Sequence, residues 1–207
     1  GLDAVSAPAS AAGSSYICES RRGMSGPLPR PIAREPIRVA RCGPPSRLGL
    51  HADWNGKMVT IRSMDRSEVA RIEEIDRSEH VTTGYVFDHG ELRAESVDWR
   101  VPHWPPTGDG FSVEHITAGV VTVLESGGTM LGAFDETDTL VGFAVLRYGL
   151  TERMAQLDAL FVSNGHRRKG IATRLLSHVV GLARADGADW LYVSATPSES
   201  AVRFYLS

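Results

Sequence analysis

From position 58 onward, apolar and polar residues recur at the spacings of strands and helices. Before it they do not. Val59-Thr60-Ile61-Arg62 alternates as a half-buried strand does. Asp65 is placed to cap a helix over 67–78, with Val69, Ile72 and Ile75 on one face. Residues 80–110 hold Tyr85, Phe87, Trp99, Trp104 and three prolines in no clear period; the reading there is a short helix or two, then a loop. A hairpin follows: a strand over 129–134, a turn at Asp135-Glu136-Thr137-Asp138, and a returning strand over 140–148. A further strand covers 155–162. Ile171, Leu175, Val179 and Leu182 give the helix predicted over 169–184 a buried stripe, and Asp186-Gly187 ends it. The apolar stretch 190–194 reads as a central strand, and Ser198 caps a last helix running to Ser207.

This order describes a mixed α/β sheet with helices on both faces. Residues 1–57 carry seven of the eleven prolines and Ala/Ser- and Arg-rich patches, and read as a disordered leader ahead of a domain over 58–207. Met58 is the natural start expected for that domain.

Charge sharpens the division. The leader has eight Lys/Arg against four Asp/Glu, and the remainder 14 against 21, for a net −3 in 207 residues. A net-acidic folded part argues against a nucleic-acid partner, which needs clustered positive charge. Both cysteines, Cys18 and Cys42, fall in the leader, so neither a disulfide framework nor a thiol nucleophile is expected in 58–207. No apolar run reaches the roughly 20 residues that span a bilayer. The expectation is a cytoplasmic protein with no membrane partner. The seven histidines show no metal-ligand spacing, so no metal is expected.

The chemistry concentrates between Leu157 and Ala172. An apolar strand runs through the basic loop His166-Arg167-Arg168-Lys169 into a helix that opens on Gly170. A helix N-terminus offers free N–H groups and the positive end of its dipole. Glycine lets a phosphate approach the chain, and the neighbouring cations add charge at the mouth. By itself the basic run reads as a solvated turn or a nuclear-localisation-like run. No Walker A or dinucleotide fingerprint occurs. The segment resembles the R-x-x-G-x-A form of the acyl-CoA loop in GNAT-superfamily N-acetyltransferases, through Arg167, Gly170 and Ala172. The resemblance covers 58–207, strongest over 155–206 and weakest over 80–127.

The resemblance implies an acyl-CoA N-acyltransferase-like fold, with a mixed, mostly antiparallel central sheet. In the family the last helix leads into two more strands, whereas this sequence stops at Ser207. A sheet lacking the last strands, or a fragment, is therefore expected. Acetyl-CoA is the implied co-substrate. Arg167, Arg168, Lys169, Gly170, Ile171 and Ala172 would hold its pyrophosphate, and the backbone of Leu160, Phe161 and Val162 its pantetheine arm. Ser198, where the family often has Asn, would touch that arm; a helix cap explains it equally well.

Direct acetyl transfer to a primary amine needs a base for the ammonium proton and an acid for the leaving thiolate. Where family members often place Glu or His, this chain has Gln156, which takes no proton at neutral pH. Strict alternation puts Gln156, Asp158, Leu160 and Val162 on one face, making Asp158 the nearest carboxylate, acting through a water. Tyr205, in the family's Phe-Tyr pair, is the implied acid. The acceptor is expected against the acidic stretch Glu73, Glu74, Asp76 and Glu79, or in a pocket of Tyr85, Trp99, His103 and Trp104. It is a small-molecule or peptide amine, and a homodimer is a further expectation from the family. The alternative reading is a non-catalytic acyl-CoA-binding or sensor module.

Overall fold

Seven strands make one sheet in the order β1 (Ile37–Arg38), β9 (Trp190–Val193), β8 (Met154–Val162), β7 (Leu140–Thr151), β6 (Thr129–Phe134), β3 (Met58–Met64) and β2 (Leu50–Ala52). Every neighbouring pair is antiparallel except β8 and β9, which run parallel. A separate antiparallel pair, β4 (Glu79–Asp88) and β5 (Glu91–Val101), stands apart from the sheet. The helices are α1 (Val113–Glu125), α2 (Ile171–Ala185) and α3 (Glu199–Leu206). The structure is a computed structural model, and it describes residues 37–38, 50–52, 58–89, 91–108 and 112–207.

Two layers of apolar side chains cover the sheet. On one face α2 sends Ile171, Leu175, Val179 and Ala183 onto Val59, Ile61, Leu131, Ala144, Leu146, Ala155 and Leu157. On the other, Ile116, Val120 and Val123 of α1 meet Val69, Ile72, Met130, Phe143 and Val145. This is the mixed α/β sheet with helices on both faces that the residue pattern predicts, and it is mostly antiparallel, as the resemblance implies.

Three readings are corrected. The segment 80–110 holds no helix among its described residues; it is mostly the β4–β5 hairpin. Its strands are half-exposed or exposed at most positions, so they carry no buried stripe. The helix expected over 67–78 is a shorter 3₁₀ segment, Arg66–Glu74. Asp65 caps it as expected, in a reciprocal box with Glu68, and it ends where Ile75 turns extended. Finally, Ile37–Arg38 pairs with β9 and Leu50–Ala52 with β3, so the expected boundary at Met58 does not hold for these five residues. The sheet edge beyond β9 is thereby occupied by β1. The remainder of the expected leader, with Cys18 and Cys42, lies outside the described residues.

The hairpin is fastened to the chain just before α3. Tyr85 N–H donates to Pro197 C=O at 2.8 Å, and Gly84 bridges to Ser198. A side chain at Gly84 would meet the Trp99 ring at 2.8 Å, so the ring packs against this glycine and would have to shift for any larger residue.

Candidate active site

Strand β8 pairs with β9 only from Met154 to Leu157, opposite Trp190 to Val193. Beyond that point β9 ends and the chain turns away toward α3, so the two strands part. β8 continues to Val162, held on its other side by β7. Ser163 N–H donates to Val141 C=O on β7. Peptide groups alternate sides along an antiparallel strand. Leu160 and Val162 therefore aim their peptide groups into the gap, where Val162 C=O accepts from Arg167 Nε at 3.1 Å.

A bulge sets the chemistry of β8. Leu146 of β7 stands opposite Leu157, and Val145 opposite Ala159, which leaves Asp158 as the extra residue. Side chains change face across it: Ala155 and Leu157 pack under α2, then Ala159 and Phe161 pack toward α1, and Leu160 and Val162 under α2. The expected common face for Gln156, Asp158, Leu160 and Val162 is thus overturned. Gln156, out of step with Leu157 and paired with Arg147, lies on the face opposite to Leu160 and Val162.

Asp158 is 3 % exposed at its side chain, and its Oδ1 lies 3.4 Å from Arg147 Nη2. Burial pushes its carboxyl above the ordinary aspartate range, and the guanidinium opposes that shift without cancelling it. Phe161 stacks on Phe143 at 5.3 Å and tilts against Trp104 at 5.2 Å, which stiffens the strand from the α1 side. Arg147 was missed by sequence reasoning. Nothing but strand register brings it opposite Gln156.

After β8 the chain makes a short 3₁₀ turn, Asn164–His166. Buried Ser163 accepts from Asp76 N–H through its hydroxyl at 3.0 Å, and Asn164 N–H donates to Asp76 C=O at 2.7 Å. Arg168 and Gly170 both take the left-handed conformation, at φ 60° and 77°. That conformation costs a non-glycine residue about 1–2 kcal/mol. Gly170 is the N-cap of α2, and no side chain caps the helix. The space where a Cβ of Gly170 would stand is open to 4 Å. Ile171 and Ala172 begin the helix, Ile171 buried beneath the sheet. Lys169 Nζ donates to Gly165 C=O at 2.9 Å, and Arg168 is exposed. Arg167 is engaged by the protein itself, donating also to Arg77 C=O and facing Glu79 Oε2 at 3.3 Å.

Tyr205 lies with Leu160 and Val162 in the cluster beneath α2, edge-on to Phe204 at 4.9 Å. Burial raises its phenol above the usual tyrosine range. Ser198 is 4 % exposed and caps α3 by accepting from Ala201 N–H.

The acidic stretch is largely committed elsewhere. Glu74 accepts from Arg71 and from Leu140 N–H, Asp76 from Ser78 N–H, and Glu79 from Ser200. Trp104 is core at 5 % exposure; Tyr85 and Trp99 are half-buried on the hairpin, and His103 is exposed. Among the described residues no group of three His, Cys, Asp or Glu could hold a metal ion, and no helix is long and apolar enough to cross a membrane.

A family model described as the acetyltransferase (GNAT) family matches residues 92–207. The streptothricin acetyltransferase of Streptomyces lavendulae is 28 % identical over 159 residues, covering 69 % of this chain and 75 % of that protein. The crystal structure of nourseothricin acetyltransferase superposes with a TM-score of 0.53 at 21 % identity, over 68 % of this chain and 75 % of that one. The structure of a proposed streptothricin acetyltransferase from Bacillus anthracis, in complex with acetyl coenzyme A, gives 0.55 at 17 % identity, over 72 % of this chain and 81 % of that one.

Proposed function

Since this chain belongs to the GNAT acetyltransferase family, an acetyl-CoA-dependent class of N-acetyltransferases, we propose that it acetylates a small cationic amine by direct attack on the thioester. The observation that carries the reading is the parting of β8 from β9, directly followed by the uncapped N-terminus of α2 at Gly170. The open space at Gly170 and the left-handed loop fit a pyrophosphate, with Arg168, Lys169 and the first N–H groups of α2 facing it. Leu160 and Val162 offer peptide groups along the gap to the pantetheine arm, as Phe161 braces the strand. Ser198 serves the site through the cap it gives α3.

In the step itself, the neutral amine forms a C–N bond at the thioester carbonyl as the C–S bond breaks. Asp158, whose carboxyl burial raises above the ordinary aspartate value, takes the ammonium proton through a water. Tyr205, kept protonated by burial, gives its phenolic proton to the departing sulfur. Asp158 reaches Arg147, which points away from the α2 side because its neighbours Leu146 and Tyr148 pack there, whereas Tyr205 lies on the α2 side. A proton can thus leave on one side of the gap and enter on the other.

The acceptor we favour is an amine of the streptothricin kind. The similarity to a streptothricin acetyltransferase supports it. So does the β4–β5 hairpin beside the gap, whose strands carry five acidic residues against two arginines. The test is release of CoA thiol from acetyl-CoA with streptothricin, an aminoglycoside, a polyamine and a lysine peptide in parallel. Turnover with streptothricin above the others supports the assignment. Turnover with another member replaces the acceptor, and acetyl-CoA binding without turnover on any amine favours the non-catalytic alternative.

A further inference from the structure

Three elements of the site come from distant parts of the sequence: the loop ahead of α2, the root of the β4–β5 hairpin, and α3 with Tyr205. One carboxylate joins them. Glu79, the first residue of β4, faces Arg167 Nη1 with Oε2 at 3.3 Å and accepts from the Ser200 hydroxyl with Oε1 at 2.7 Å. Both ends of this link are anchored. Arg167 also donates to Val162 C=O, at the tip of the open strand, and to Arg77 C=O, both at 3.1 Å. Ser200 is 3.1 Å from Ser198, the buried cap of α3.

Two further links tie the same elements together. Asn164 N–H donates to Asp76 C=O, and Tyr85 N–H to Pro197 C=O. Both are backbone bonds, and a third, from Asp76 N–H to the Ser163 hydroxyl at 3.0 Å, joins only the loop to the root of the hairpin. Glu79 is the side chain that reaches both the loop and α3.

We infer that Glu79 is a positioning residue that couples the acetyl-CoA loop, through Arg167, to the helix carrying Tyr205, through Ser200. Arg167 then acts as a strut between Val162 and Glu79. The phosphate-facing charge falls to Arg168 and Lys169. This rests on the site assignment above for Tyr205, and on the family alone for acetyl-CoA.

The test is a double-mutant cycle on the full chain, read by calorimetric titration of acetyl-CoA and by steady-state turnover. Glu79→Ala and Ser200→Ala should each weaken acetyl-CoA binding about fivefold, the scale of one exposed hydrogen bond or ion pair. The double variant should lose no more than either single one. Ser200→Thr, which keeps the hydroxyl, should stay within about twofold of the parent. Glu79→Ala should lower kcat about fivefold in the parent and less than about twofold in a Tyr205→Phe background, because its effect on the step runs through the phenol.

Ser200 is exposed and loses only a hydroxyl, so its variant tests the link without threatening the fold. Unchanged affinity in Ser200→Ala overturns the coupling. So does a double variant whose loss is the product of the two, since Ser200 would then act on acetyl-CoA independently. Full kcat in Tyr205→Phe overturns the acid assignment instead, and the affinity cycle decides the coupling without it.

Discussion

Arg147 and Asp158 face each other at 3.4 Å across β7 and β8 because the bulge moves Asp158 out of the ladder and leaves Arg147 opposite Gln156. A buried carboxylate beside one guanidinium feels two opposed effects. Here burial outweighs the charge, so the carboxyl sits above its ordinary value of 3.8. Activity that needs the ionised form is therefore lost as pH falls through this raised value. Arg147→Gln removes the opposing charge, and the acid limb of kcat/KM should move to higher pH. Arg147→Lys should restore it in part. A limb that stays in place in Arg147→Gln separates Asp158 from the rate.

The same reasoning sets the outcome for Asp158→Asn. The amide preserves the shape of the side chain and removes the proton acceptor. Turnover should fall about 10²-fold or more, the scale of general base catalysis, with acetyl-CoA affinity within about twofold of the parent. Loss of both in parallel would make Asp158 a structural member of the bulge.

Tyr205 is raised by burial above its ordinary 10. A phenol acting as an acid must be protonated, so no alkaline limb from this group is expected below that value. Tyr205→Phe should lower kcat about 10²-fold while acetyl-CoA binding holds. Stopped-flow measurement with a good acceptor reads the step itself. An unchanged rate removes the phenol from proton delivery.

What the residue pattern revealed follows burial closely. β6, β7, β8, α2 and β9 carry apolar residues at strand or helix spacing because each packs in the covered sheet, and α3 was marked by its Ser198 cap. Most of the β4–β5 hairpin carries that signal weakly, since its strands are largely half-exposed or exposed; Val97-Asp98-Trp99-Arg100-Val101 alternates as a half-buried strand does. Its Val81, Tyr85, Val86 and Phe87, ahead of Asp88-His89-Gly90, were a further hint of a strand and a turn. Helix α1 was legible in principle, through Ser112 as cap and the spacing of Ile116, Val120 and Val123. The bulge at Asp158 was not, because no glycine or proline marks it, and it alone reverses the faces on which Gln156 and Leu160 sit. The Glu79–Arg167–Ser200 link was equally hidden, spanning 121 positions between its carboxylate and hydroxyl.

Gly170 separates conformation from space. Its φ of 77° is the left-handed region, yet nothing stands within 4 Å of a prospective Cβ. Gly170→Leu, which is not β-branched, should therefore fold, at a cost of about 1–2 kcal/mol, while filling the volume assigned to the pyrophosphate. Thermal melts should show a modest decrease in Tm, and calorimetry a loss of acetyl-CoA affinity of at least about tenfold. Retained affinity would move the phosphate site away from the head of α2.

Glu74 ties the 3₁₀ segment to the β6–β7 turn, accepting from Leu140 N–H at 2.6 Å and from Arg71 at 2.7 Å. Arg71 in turn reaches the carbonyl and carboxylate of Asp138. The bond to Arg71 holds the Glu74 carboxyl below its ordinary 4.5, against the effect of burial. A carboxyl depressed in the folded state contributes stability that is fully present above the unfolded value and is lost as pH falls through the folded one. Glu74→Gln keeps an acceptor for Leu140 but loses the charge. At pH 7 it should be less stable by about 1 kcal/mol, discounted for the partial exposure of the pair. Measured by denaturant unfolding, that difference should shrink as the pH is lowered below 4.5. A gap that stays constant with pH would assign the loss to the Leu140 hydrogen bond, and leave the ion pair with Arg71 without a share in stability.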